Sequence, residues 1–85
     1  MKELEKQMKT VQVAMETVKI LNDLESRHIL SVELLRLAKM TDISDERMLE
    51  IRKKYGLNSV VWIIAEREVQ KEIEESTRVD EEEEK

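Results

Sequence analysis

Helix breakers are almost absent from this chain of 85 residues: it has no proline, and its one glycine is Gly56. Proline ends helices because it lacks an N–H group and clashes with the preceding turn, whereas Glu, Lys, Arg, Leu and Met all favour them. Of the aromatic residues that favour strands, only Tyr55 and Trp62 occur. We therefore expect an all-α fold.

A regular apolar pattern marks the first helix. Apolar residues alternate at spacings of four and three, as they do along a coiled-coil seam, and these residues are Leu4, Met8, Val11, Met15 and Val18. Other apolar residues beside the seam widen it toward the face of a bundle helix. The next two seam positions hold Asn22 and Glu25, which ends the pattern. The sequence predicts a helix over about 2–25 with more than one neighbour.

A second apolar face begins after this break and is rotated relative to the first one. It is formed by Leu30, Leu34, Leu37 and Ala38. It predicts a helix over about 29–40. The two stretches form either two helices or one long helix that changes neighbours halfway, and we favour the break.

Local signals place the last two helices. Ser44 is a good N-cap, and Gly56 follows three basic residues as a normal helix stop, so we expect a helix over 45–55. Asn58 or Ser59 can cap the next helix, over 58–76. The three to four helices should form a small bundle that a second copy completes.

Charge divides the chain into a helical domain and an acidic tail. The net charge is −5. Residues 72–85 hold eight acidic and two basic residues, which leaves thirteen basic and twelve acidic residues in 1–71. A run of carboxylates with nothing apolar to bury repels itself. We expect one domain over 1–76 and a disordered tail over 77–85.

Several functional classes are disfavoured by composition. Without cysteine there is no disulfide or thiolate chemistry, and His28 is the only histidine, so we expect no metal and no cofactor. No apolar run reaches the roughly 20 residues of a membrane span, and the N-terminus lacks the order of a signal peptide. We expect a cytoplasmic protein without membrane contact. Its many Glu, Lys and Arg residues resemble a thermophile composition.

The apolar faces favour an interaction protein over an enzyme. Short helices with this much apolar surface cannot easily bury all of it within one copy of the chain. The sequence therefore predicts a homodimer. We expect the first seam to pair with the apolar stripe of the last helix, so the predicted interface is Leu4, Met8, Val11, Met15, Val18, Trp62, Ala65, Val69 and Ile73. The predicted function is regulatory partner binding of the adaptor kind.

An alternative is a DNA-binding regulator. The helix over 45–55, the turn at Gly56 and the helix after Asn58 resemble a helix-turn-helix motif over about 20 residues. The resemblance implies that basic and polar residues contact DNA, here Arg47, Arg52, Lys53, Lys54, Asn58 and Ser59. The second helix of the motif, however, presents apolar residues where polar side chains should meet base edges.

A third reading is enzymatic. The order Arg27, Lys39, Asp42, Glu46 resembles the small all-helical chorismate mutases, which hold a dicarboxylate with arginines and a lysine. The resemblance implies that Arg27 and Lys39 bind carboxylates and that Glu46 contacts a substrate hydroxyl. Other positions depart from the family pattern; for example, Asp45 stands in place of an arginine. Because too little positive charge remains for that chemistry, we expect no enzyme.

Overall fold

The computed structural model is all-helical, as the sequence predicts. It describes the backbone of residues 2–84 and the side chains of residues 2–75. Its helices in chain order are α1 (Lys2–Leu21), α2 (Leu24–Thr41), α3 (Asp45–Lys54) and α4 (Ser59–Glu84). The predicted disordered tail over 77–85 falls outside the described side chains and stays a prediction.

The first two helices are separate, and the break lies earlier than the apolar pattern indicates. The helix predicted over 2–25 ends at Leu21, and α2 begins at Leu24 rather than at residue 29. Asn22 adopts a left-handed backbone with φ 47°, which asparagine tolerates better than most residues. Arg27 donates hydrogen bonds from Nε and Nη2 to Asn22 Oδ1, at 3.2 and 2.7 Å. The reversal of the chain therefore takes only two residues.

A capping box starts α2. The Ser26 N–H donates to Asp23 Oδ1 at 2.8 Å, and the Asp23 N–H donates to Ser26 Oγ at 3.2 Å. These reciprocal bonds satisfy two backbone donors that the first turn of a helix leaves unpaired. In most capping boxes the residue at the third helical position is Glu or Gln. Here that residue is Ser26, which explains why the sequence pattern alone missed the helix start.

This cap makes stability depend on pH. The hydroxyl of Ser26 first, and its backbone N–H second, lower the pKa of Asp23 below the ordinary 3.8. A carboxyl whose pKa is lower in the folded state stabilises the fold above the unfolded-state pKa and loses that contribution as pH falls through the folded-state pKa. Asp23→Asn keeps a good N-cap without a titrating group. We expect this variant to lose less stability than the parent below pH 3.8, measured by urea unfolding at neutral and acidic pH. An equal acid loss in both proteins would contradict the assignment.

The predicted starts of α3 and α4 are confirmed. Ser44 Oγ accepts the Arg47 N–H at 3.3 Å. Gly56, with φ 65°, ends the α3 region in the left-handed conformation that glycine adopts without strain. Asn58 Oδ1 accepts the Val61 N–H at 2.9 Å and caps α4.

Helix α2 is the centre of the packing. Gln7 Nε2 donates to Glu33 O at 2.9 Å, and Leu4 lies beside Met40, so α1 runs antiparallel to α2. Helix α4 runs parallel to α2, because two ion pairs between the helices follow one another in the same direction along both of them. These pairs are His28 with Glu68 and Arg36 with Glu72. The core between the helices is Val11, Ala14, Val18, Leu30, Val32, Leu34, Leu35, Met48, Leu57, Trp62, Ala65 and Val69.

A polar chain links three helices along the rim of this core. Gln7 of α1 donates to Glu33 of α2, Glu33 pairs with Arg36 at 2.9 Å, and Arg36 pairs with Glu72 of α4. The hydrogen bond to Glu72 is the largest cause that raises the pKa of Arg36. The carboxylates and the guanidinium therefore satisfy one another and fix the register of α1, α2 and α4.

Candidate interaction surfaces

The nine residues predicted for a subunit interface divide between the core and the surface. Leu4 and Met15 are partly buried, and Met8 and Ile73 are exposed. The remaining five lie in the core of one copy, and they are Val11, Val18, Trp62, Ala65 and Val69. One chain already covers these five side chains. Within one copy these five residues belong to the chain's own core, and their predicted role in a subunit interface is untested.

The outer side of α4, unlike these core residues, exposes apolar side chains to solvent. Its inner side buries Val61 and Trp62, but Val60, Ile63 and Ile64 are 65%, 48% and 42% exposed. The spacing i, i+3, i+4 puts these three residues on one face of the helix. One copy thus leaves this apolar face of α4 uncovered.

This face continues onto the start of α2. Leu24, 67% exposed, borders with Val60 and Ile64 a cavity of about 430 Å³. We call the four residues Leu24, Val60, Ile63 and Ile64 the turn-end patch, because they lie where the α1–α2 and α3–α4 turns meet. Exposed carboxylates of Asp23, the N-cap of α2, and of Glu25 in its first turn flank the patch, and Arg67 and Lys71 extend the same face of α4.

His28 lies at the edge of the turn-end patch. Its Nε2 is 3.2 Å from Glu68 Oε2 on α4, which suits an ion pair when the imidazole is protonated. The same imidazole lines the cavity beside Leu24 and Ile64. Its surroundings are those of a structural contact between α2 and α4. Among residues 2–75, no group of three or more His, Cys, Asp or Glu side chains is arranged to hold a metal ion.

A second open surface lies between α1 and α2. We call it the α1/α2 groove: a cavity of about 400 Å³ with Val13, Ala14 and Ile29 in its apolar floor and Lys6 and Lys9 on its α1 side. No pattern in the sequence indicates this groove. Val13 and Ala14 in its floor lie beside the first apolar seam and are not part of the heptad pattern.

The residues predicted for DNA binding do not form one basic face. Arg47 pairs with Glu50 at 3.0 Å. The guanidinium of Arg52 lies 5.0 Å from the centre of the Trp62 ring, and the Lys54 ammonium lies 5.6 Å from that of Tyr55. Asn58 is used as the cap of α4, while Lys53 and Ser59 are exposed. A short turn at Gly56 joins α3 to α4, but the outer face of α4 is apolar.

The residues of the enzymatic reading are also apart. Arg27 and Lys39 are twelve positions apart on α2, or about 18 Å at 1.5 Å per residue. Arg27 bonds to Asn22 at the turn end. Lys39 lines a cavity of about 570 Å³ between α2, α3 and α4, whose lining also includes Arg52 and the acids Asp42, Asp45 and Glu66. Glu46 is exposed and does not line that cavity.

The turn-end patch and the α1/α2 groove are thus open apolar sites on the described surface. Within the described residues, no helix has both the length and the apolar character to cross a bilayer. Comparisons of the chain with protein-family models, with curated proteins and with solved structures find no match.

Proposed function

We propose that this chain is a small helical adaptor that works as a homodimer, with two copies packed through the turn-end patch. It acts by binding and not by chemistry. The observation that carries the proposal is the uncovered outer face of α4. Its inner face is fully buried, with Ala65 at 0% exposure, while Val60 on the outer face is 65% exposed.

The size of the turn-end patch supports a second copy as the occupant. Its four side chains expose on the order of 400 Å² of apolar surface. A stable dimer buries about 800 Å² per partner, of which somewhat more than half is apolar. The patch is thus close in size to the apolar share of such an interface, and a polar rim would supply the rest.

The charges around the patch are self-complementary. The α2 side carries Asp23 and Glu25, and the far end on α4 carries Arg67 and Lys71. In a two-fold dimer the same patch meets itself in reverse. Two antiparallel α4 helices that cross near Ile64 would bring the acids of each copy toward the bases of the other. A partner of one uniform charge would satisfy only half of this rim.

Substitution at the centre of the patch tests the proposal. Ile64→Glu places a carboxylate in the apolar contact, and we expect it to raise the dimer dissociation constant by about 100-fold or more, the size of an interface hot spot. The matched control is Leu49→Glu on α3, where the leucine is 47% exposed and lies outside the patch. Light scattering coupled to size-exclusion chromatography gives the mass of each variant.

The two variants separate an interface from a general effect of charge. Far-ultraviolet circular dichroism should show the same helix content in both, since neither residue is in the core. Dissociation by Ile64→Glu alone supports the proposal. Equal masses for the parent and both variants would refute it.

A further inference from the structure

The α1/α2 groove lies on a different side of α2 from the turn-end patch. Ile29 and Glu33 of α2 face the groove, whereas His28 pairs with α4. We propose that this groove binds an acidic amphipathic helix of a partner protein. The proposal rests on the adaptor function for its purpose, but its argument comes from the chemistry of the groove.

The floor of the groove is more apolar than its sequence suggests. Val13 and Ile29 are 66% and 48% exposed. Thr10 Oγ1 donates to the Lys6 carbonyl at 3.0 Å, and Thr17 Oγ1 donates to the Val13 carbonyl at 2.9 Å. Because both hydroxyls bond to their own helix, the threonines need no polar partner from an occupant. The floor therefore suits apolar anchors.

The polar side chains that line the groove have hydrogen-bond or ion-pair partners within the protein, except for those of Lys6 and Lys9. Ser26 Oγ donates to the Asp23 carbonyl at 3.0 Å. The carboxylate of Glu33 accepts from Gln7 and pairs with Arg36. Lys6 and Lys9, by contrast, take part in no ion pair among residues 2–75. The groove thus presents two cations, and its one acid is already compensated.

These features select the chemistry of the occupant. A groove between two antiparallel helices receives a third helix along its length, with apolar residues at i, i+3, i+4 and i+7 as anchors. From Lys6 to Thr17 the α1 wall extends about 16 Å, which is three turns of an occupant helix. Carboxylates on the flank of that helix would meet Lys6 and Lys9, whereas a basic flank would be repelled.

Two synthetic peptides and the full chain test this. Both peptides are three-turn to four-turn helices with the same leucine anchors, one with glutamate flanks and the other with lysine flanks. By fluorescence anisotropy, we expect the acidic peptide to bind about tenfold more tightly than the basic one, because like charges oppose the basic peptide. This preference should weaken as salt increases.

Charge reversal at the groove supplies the matched comparison. Lys6→Glu with Lys9→Glu should reverse the peptide preference. Lys53→Glu with Lys54→Glu, the same change of charge on exposed α3 residues, should leave it intact. Equal binding of both peptides, no binding of either, or an unchanged preference after reversal at Lys6 and Lys9 would each overturn the proposal.

The mass of the protein in the same samples keeps the two proposals distinct. A dimer that ignores both peptides removes the groove proposal and leaves the turn-end patch untouched. A single copy that still prefers the acidic peptide supports the groove and removes the homodimer.

Discussion

Replacing Trp62 by alanine is expected to lower the free energy of unfolding by about 4 kcal/mol, as is typical when a buried Trp is truncated. Trp62 is only 8% exposed and belongs to the core with Leu35 and Met48. The substitution also removes the ring over which the Arg52 guanidinium lies at 5.0 Å. Urea unfolding at a fixed protein concentration measures the loss.

Trp62→Phe is the control for this prediction. Phenylalanine keeps an apolar ring in the same place, so we expect it to lose clearly less stability than alanine does. A loss of about 4 kcal/mol is a large share of the 5–15 kcal/mol that is typical of a domain. A loss under about 1 kcal/mol, the level of an ordinary substitution, would show that Trp62 is not a core residue.

Leu30→Ala is expected to cost about 3 kcal/mol, because it empties the centre of the bundle. Leu30 lies on α2, the helix against which both α1 and α4 pack, and its exposure is 0%. Leu49→Ala on α3 makes the same chemical change at an exposed position and should cost less than about 0.5 kcal/mol. The midpoints of urea unfolding for the two variants give the comparison. Equal losses would contradict the central position of α2.

Local signals were sufficient for the second half of the fold. Ser44 and Asn58 cap their helices with their own side chains, and Gly56 needs only its own left-handed conformation. Each of these features is set by residues within one turn. For that reason the sequence alone placed α3 and the start of α4 to within a residue or two.

The break between α1 and α2 was misplaced for a related reason. Its signal is also local, but it is carried by Asn22 in a left-handed conformation and by a capping box whose third residue is Ser26. The apolar seam ends at Asn22 and Glu25, and this end of the pattern locates the turn only to within a few residues. A search for Asn–Asp followed by Ser at the third helical position would have found it.

The interaction surface depended on packing, which no periodic pattern specifies. The seam that contains Val11 and Val18 has the spacing of a subunit contact, yet the partner that covers it is α2 of the same chain. Conversely, Val60 to Ile64 is apolar on all sides, and only the placement of α2 and α3 decides that Ile63 and Ile64 face outward. Sequence can thus predict how much apolar surface exists, but not which part a single copy leaves uncovered.

Sedimentation equilibrium of the unaltered chain, over a range of micromolar concentrations, tests most directly whether a second copy covers the turn-end patch. We expect a mass of about 20 kDa, twice the 10.1 kDa of one chain, that falls toward one copy on dilution. A constant 10.1 kDa at every concentration would contradict the account.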